Sequence, residues 1–222
     1  MARLPRLRIV DYPFHVIVRG TNQQPIFRGE GDRIFFHRTL TDAAKAHGMS
    51  VHAYVFMTNH VHLLASGTSP DSISKAIQAL GRRYVRYFNF LHRRSGALWQ
   101  GRFYSSVVET DRYFLVCHRY IEQNPVRAGI CRRPVEFPWS SHRHYAKGTA
   151  DDLVTRHSIH VEYDRSQYCR IFEQQVPQEE IDAIRDAVNH GWALGDESFQ
   201  EQMTGSTGRR ARRARRGRPQ ES

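Results

Sequence analysis

Apolar and polar positions alternate along Phe14-His15-Val16-Ile17-Val18, with Phe14, Val16 and Val18 on one face and His15 and Ile17 on the other, the two-residue period of a strand. The predicted strand runs from Leu7 to Arg19 and ends in a turn at Gly20-Thr21-Asn22. Over residues 31–47 the pattern becomes helical, with Phe35, Leu40, Ala43 and Ala44 apolar and Gly48 as a stop. Two short apolar runs follow, His52 to Phe56 and His60 to Ala65, broken by Met57-Thr58-Asn59. A hairpin and a single bent strand fit them equally well.

The longest periodic signal opens at Ser69-Pro70-Asp71, a helix entry with proline at its first turn. Ile73, Ile77, Leu80, Tyr84, Tyr87 and Leu91 follow at spacings of four and three, one stripe on a helix of about five turns. Lys75, Arg82, Arg83, Arg86 and Arg93 fall on its other side, as a solvated face or one that tracks phosphates. A loop from Gly96 to Tyr104, a strand from Ser105 to Val108 and a helix capped by Thr110-Asp111 come next. That helix is predicted to end near Asn124, because a proline at 125 disfavours helical geometry just before it. Residues 140–160 are rich in His, Ser and Thr without a clear period, and a further helix is predicted over Gln178–His190. From Gly205 onward the mix of Gly, Ser, Thr and Arg cannot bury a core and predicts disorder.

Composition narrows the class. With 222 residues, 40% hydrophobic and 25% charged, the chain reads as a soluble globular protein with room for one substantial domain and extensions. No apolar stretch approaches a membrane span, and the basic N-terminus leads into no signal core, so a cytoplasmic, nucleoid-associated protein is expected. Cys117, Cys131 and Cys169 are odd in number and widely spaced, which fits a reducing compartment. Net charge is the stronger clue: 33 basic against 22 acidic residues give +11. A chain this basic is expected to meet a polyanion, most commonly nucleic acid. Seven arginines against one acid give residues 209–222 a charge of +6, leaving +5 for the rest. A membrane surface would attract the same tail, but the tail lacks the apolar face of an interfacial helix.

Two constellations carry candidate chemistry. In Asn59-His60-Val61-His62, strand geometry turns His60 and His62 the same way and Val61 toward the core. Two neutral imidazoles side by side on a rigid strand are a natural grip for a divalent metal, though ordinary hydrogen-bonding histidines give the same tripeptide and two ligands need a third. In Tyr120-Ile121-Glu122-Gln123-Asn124-Pro125, Tyr120 and Asn124 stand four apart at a helix end and share a face. Packed near the histidines, Asn124 offers an amide oxygen as third ligand and Tyr120 a phenol nucleophile; a protonated phenol attacks poorly, and a nearby cation or base assists. Most of the ten tyrosines are expected to be packing residues, Tyr84, Tyr87 and Tyr113 among them.

Taken together, Asn59-His60-Val61-His62, then Leu98-Trp99-Gln100-Gly101-Arg102-Phe103, then Tyr120-Ile121 with Asn124-Pro125-Val126-Arg127-Ala128-Gly129, resemble the one-tyrosine HUH transposases, in particular their REP-associated tyrosine transposase branch. His15, Arg19-Gly20 and Pro138-Trp139-Ser140-Ser141 also fit, so the resemblance spans roughly 8–145. It implies an α+β fold, an RRM-like or ferredoxin-like antiparallel sheet with helices packed on it. It also implies a mechanism. His60, His62 and Asn124 hold magnesium or manganese, Tyr120 attacks a phosphate of single-stranded, hairpin-containing DNA, and a 5′-phosphotyrosine link with a free 3′-hydroxyl results before rejoining. Asn124 departs from a plain match because it directly precedes a proline. Imidazole prefers zinc or manganese to magnesium, which leaves the ion's identity open.

The DNA contacts expected are Arg19, Asn22, Arg82, Arg83 and Arg102, with Arg216 and Arg218 in the tail. Arg216-Gly217-Arg218-Pro219 resembles the core of an AT-hook, which lies in a narrow A·T minor groove. A nonspecific basic tail acting through counterion release is the plainer reading of the same residues. Trp99 serves either to stack on bases or to anchor the core. The expected organisation is a nuclease domain over 1–145, a partly helical extension over 146–204 and a tail over 205–222, working as monomer or homodimer. Two rival functions share these features: a metal-dependent hydrolytic nuclease that uses water, and a non-catalytic nucleic-acid-binding module.

Overall fold

The computed structural model describes residues 5–213, without the side chains of residues 111, 161 and 162. Arg216 and Arg218 therefore lie outside the described residues. Four strands, β1 (Phe14–Arg19), β2 (Met49–Phe56), β3 (His60–Gly67) and β4 (Tyr104–Val107), form one antiparallel sheet in the order β2-β3-β1-β4. Helix α1 (Glu30–Ala46) joins β1 to β2, and α2 (Ser72–Leu91) joins β3 to β4. This βαββαβ order is the ferredoxin-like arrangement expected from the resemblance. Helices α3 (Thr110–Glu122), α4 (Asn124–Arg127), α5 (His142–Lys147), α6 (Arg165–Glu173), α7 (Gln178–His190) and α8 (Glu197–Thr207) follow.

Strand alternation sorts the sheet's two faces. Phe14, Val16, Val18, Val61, Leu63 and Phe56 pack beneath α1 and α2, with Phe36, Leu40, Ile77, Leu80 and Tyr84 from the helices. On the reverse face, Ala53, Val55 and Leu64 meet Phe114, Cys117, Tyr120 and Ile121 of α3 and Ile181 and Ile184 of α7. An RRM-like sheet with helices on one face only would leave the other open. Here α3 closes it and brings Tyr120 down onto it.

Several boundaries differ from the pattern reading. β1 starts at Phe14 rather than Leu7: Asp11 has a left-handed φ of 69°, and Pro13 has no N–H to give a ladder. The His52 and His60 runs are a hairpin, paired from Met49↔Gly67 to Phe56↔Val61 with a bulge between Val51 and Ala53. The buried stripe of α2 runs through Ala76, Ile77, Leu80, Tyr84 and Phe88, while Leu91 is exposed. Pro125 ends α3 without ending the helical path, because it falls at the opening of α4, where a missing N–H costs nothing.

The chain after residue 146 clasps the sheet. Thr155 donates to the Val51 carbonyl at one edge strand, and Leu194 donates to the Val107 carbonyl at the other. Exposed strand edges are thereby covered. Order also continues past Gly205: α8 runs to Thr207, and Ala211 is buried and accepts from the Ala193 N–H at 2.8 Å. Composition failed there because Met203 and Ala211 bury themselves in a core built by distant segments.

Candidate active site

His60 and His62 share the face covered by α3. Register pairs His60 with Arg19 and His62 with Ile17, and sets His15 opposite Ser106 on that same face. His15 is fully buried, its ring stacked 5.1 Å from that of His62, and its Nε2 lies 2.8 Å from His62 Nδ1. His60 lies 4.9 Å from His62 between ring centres and donates its Nδ1–H to Asn59 Oδ1 at 2.6 Å. An imidazole whose Nδ1–H is engaged presents a lone pair at Nε2, the state in which it ligates metal. The tautomers compatible with that role have His62 Nδ1 donating to His15 Nε2.

Burial, with Arg127 nearby, brings the His15 imidazole down to about 3. Burial and Arg19 bring His60 to about 4, and burial followed by the charges of His60 and His15 pushes His62 well below the ordinary range. All three rings are neutral at physiological pH, as ligation requires. His15 Nδ1 and the neighbouring Ser106 Oγ are buried with no hydrogen-bond partner, so this polar patch is incompletely satisfied.

Tyr120 is only 5% exposed, and its ring stands edge-on to His62 at 5.8 Å and to His15 at 5.7 Å. Helical hydrogen bonds cross the proline: Gln123 donates to the Arg119 carbonyl, Arg127 to Gln123 and Ala128 to Asn124, at 2.9–3.0 Å. Tyr120, Asn124 and Arg127 thus stand at i, i+4 and i+7, on one side of the helix. The Arg127 guanidinium lies 4.3 Å from the centre of the Tyr120 ring and donates to the Tyr120 carbonyl, while its Nη1 is buried without a partner. Asn124 is half-buried between them in sequence and on that face.

Among the described residues, no group of three His, Cys, Asp or Glu side chains is placed to hold a metal. A third protein ligand beside the two histidines would have to be of another type, such as an amide oxygen, the donor expected of Asn124. Two imidazoles and one amide oxygen form a mixed set that suits a borderline divalent ion. Neutral rings with oriented Nδ1 atoms fit it as well.

On the opposite side of α3 lies a second buried polar cluster that the residue pattern does not reveal. Glu122 is fully buried and accepts from His118 Nε2 at 2.9 Å, His142 Nδ1 at 2.8 Å, Ser141 Oγ at 2.5 Å and the Tyr168 hydroxyl. Burial alone would raise this carboxyl, but His118 and His142 outweigh it and hold it well below the usual carboxylate range. His118 Nδ1 meets His160 Nε2 at 2.8 Å, so the cluster ties α3 to α5, α6 and the turn before α6.

The expected DNA contacts are scattered. Arg19 is half-buried beside His60, and Asn22 is exposed in a short turn with a φ of 50°. Arg82 and Arg102 line a cleft of 590 Å³ on the α2 side with Lys75, Trp99 and Phe103. Arg83 instead pairs with Asp42 of α1 at 2.8 Å. Trp99 packs against Tyr84 at 5.9 Å, the core-anchoring role, and also lines that cleft. The pattern reading missed His15 and Arg127 as members of the site. Strand alternation does place His15 on the face of Ile17, but Arg127 needs a helix to run through Pro125.

The family model described as "Transposase IS200 like" matches residues 9–124, just over half of the chain. A REP-associated tyrosine transposase bound to a REP hairpin superposes with a TM-score of 0.54 at 18% identity, covering 71% of this chain and 96% of that one. A transposase-like protein from Deinococcus radiodurans aligns at 21% identity with a TM-score of 0.38, over 50% of this chain and 88% of its own. No curated protein sequence matches. None of the chain's described helices is long and apolar enough to cross a membrane. The four-stranded sheet and its helices are the transposase fold, and the chain belongs to the IS200-like transposase family, enzymes that act on DNA.

Proposed function

We propose that this transposase nicks and rejoins single-stranded, hairpin-containing DNA through a 5′-phosphotyrosine at Tyr120. His60, His62 and Asn124 would hold a magnesium or manganese ion. The observation that carries the reading is the Tyr120 ring edge-on to His62 and His15 within one chain, with both ligand histidines oriented through Nδ1. The solved relative bound to a REP hairpin supports the substrate class.

In the proposed step the phenol oxygen of Tyr120 attacks the scissile phosphorus. The bond from phosphorus to the 3′ oxygen breaks; the phenol proton is released and the departing 3′ oxygen takes one up. A divalent ion at the histidines supplies Lewis-acid polarisation of that phosphate. His15 keeps His62 in its ligating tautomer, and Arg127 offers positive charge to a phosphate lying against the phenol. A 3′-hydroxyl attacking the phosphotyrosine reverses the step, so the phosphodiester energy is conserved and no ATP is needed. Nucleophile and histidines from the same chain support a monomer that acts in cis. Arg19, Asn22, Arg82 and Arg102 remain the proposed DNA contacts, together with Arg216 and Arg218. Arg83 stays among them, and its exposed pairing with Asp42 would have to yield to a phosphate.

Labelled single-stranded DNA from the repeats flanking the gene, incubated with manganese or magnesium, tests this on a denaturing gel. A covalent protein–DNA band is expected from the wild type and from neither Tyr120→Phe nor His60→Ala/His62→Ala. Cleavage that survives Tyr120→Phe would point to a hydrolase, and tight binding without cleavage to a binding module.

A further inference from the structure

The family match ends at Asn124, yet the chain continues into four more helices after α4 whose role the proposed chemistry does not explain. These later segments build a cleft of 860 Å³ between α4, α5, α6, α7 and the turn at Pro134–Glu136. Its lining is strongly one-signed: Arg127, Arg132, Arg133, Lys147 and Arg185 against the single acid Glu173. Phe172 and Ile181 contribute to an apolar floor. Arg127 belongs to the cleft and to the nucleophile's surroundings at once, over the Tyr120 ring on one side and with a buried, unpartnered Nη1. Arg132 and Arg185 are exposed.

We infer that this cleft binds the single-stranded DNA arm on the 3′ side of the scissile phosphate, the strand that stays joined to Tyr120 after the nick. The inference rests on the reading of Tyr120 as nucleophile. A cationic rim over an apolar floor matches unpaired nucleic acid, whose phosphates meet arginine while base faces lie on apolar surface. A duplex keeps its base faces stacked inside and has no use for such a floor. The route is short: the linked phosphate would lie at the phenol, Arg127 lies over that ring, and the strand would continue past Arg127 between Arg132 and Arg185. Held there, the 5′-linked end stays oriented for the returning 3′-hydroxyl. The segment after α4 thereby becomes part of the DNA-binding surface, by residues that the family-matched segment does not contain.

The test uses the full chain carrying Tyr120→Phe, so that DNA stays uncut, and fluorescence anisotropy with two probes. One is a flanking-repeat hairpin with its 3′-side single-stranded arm, the other the same hairpin without the arm. Arg132→Glu/Arg185→Glu is expected to weaken binding of the armed probe by about ten-fold or more and to reduce the salt slope by about 1–2. Binding of the armless hairpin should not change, and the exposed Arg170→Glu on α6, outside the cleft, should leave both probes unaffected. Unchanged affinity for the armed probe would overturn the inference. So would an equal loss with the armless hairpin or with Arg170→Glu, since either would mean diffuse charge rather than a cleft. Cleavage is not needed for this readout. A protein that binds the arm through Arg132 and Arg185 yet forms no adduct at Tyr120 would sink the nucleophile and leave the cleft standing.

Discussion

Two buried polar clusters flank the same helix and are built on opposite rules. On the inner side of α3, His15, His62 and Tyr120 sit among atoms left without partners, His15 Nδ1, Ser106 Oγ and Arg127 Nη1. On the outer side, Glu122 takes hydrogen bonds from His118, His142, Ser141 and Tyr168, and no side-chain atom of these five residues is left buried and unpaired. An unpaired buried polar group costs free energy, so a native protein retains several in one place where a ligand is to meet them. A saturated network fixes geometry and has nothing further to bind. The helix therefore carries an anchor on one side and the tyrosine proposed as nucleophile on the other, two residues apart from Glu122 to Tyr120.

Removing the anchor should have the largest effect. Glu122→Ala leaves two histidines, a serine and a tyrosine facing an empty buried site, and should destabilise the fold by about 3–5 kcal/mol in urea unfolding. A loss below about 1 kcal/mol would mean the cluster is not the structural one. On the Tyr120 side, His15→Gln should weaken manganese binding to the apoprotein by about 10–100-fold through the lost orientation of His62. Its unfolding free energy should fall by much less than in Glu122→Ala, and calorimetric titration read beside urea melts separates the two effects.

Acid should act on both clusters more gently, because burial holds His160, beside His118, far below the ordinary value as well, at about 2. His15 and His60 are held below the ordinary 6.5 and stay neutral when folded, so the unfolded chain takes up protons first. Stability is then lost as pH falls below about 6.5 toward the folded values, by at most about 1.4 kcal/mol for each ring per unit fall in pH. Glu122 is depressed too, and its contribution is complete above the unfolded carboxyl range and fades only below about pH 4.3. Unfolding measured at pH 7.0, 5.5 and 4.5 should show the first loss, and His15→Gln should lessen it by the share of one ring, since His52, His60 and His160 are depressed too. The smallest effect belongs to the exposed Arg83–Asp42 pair, where Arg83→Ala should change stability by about 0–1 kcal/mol.

Much of this was legible from residue order alone. Alternation on β1 and β3 assigned His60 and His62 to one face, and periodicity placed α7 over Gln178–His190, as found. Period information is local, and what it missed depends on distant partners. Helices α5 and α6 are short and draw their stability from Tyr145, Tyr168 and Phe172 packing together. Glu122 on a helix reads as a solvated residue until His142 and Tyr168, 20 and 46 residues later, are folded over it. Arg127 was hidden by Pro125, which interrupts the hydrogen-bonding pattern while leaving the helical path in place.

The central claim is a covalent bond at one atom, and peptide mapping of the DNA adduct tests it most directly. Trypsin cutting after Arg119 and Arg127 releases Tyr120-Ile121-Glu122-Gln123-Asn124-Pro125-Val126-Arg127, which holds one tyrosine and no serine or threonine. After nuclease trimming of the DNA, mass spectrometry should find a 5′-nucleotide on this peptide, at Tyr120, only when divalent metal was present. A nucleotide on any other peptide, or cleaved DNA with this peptide unmodified, would contradict the account.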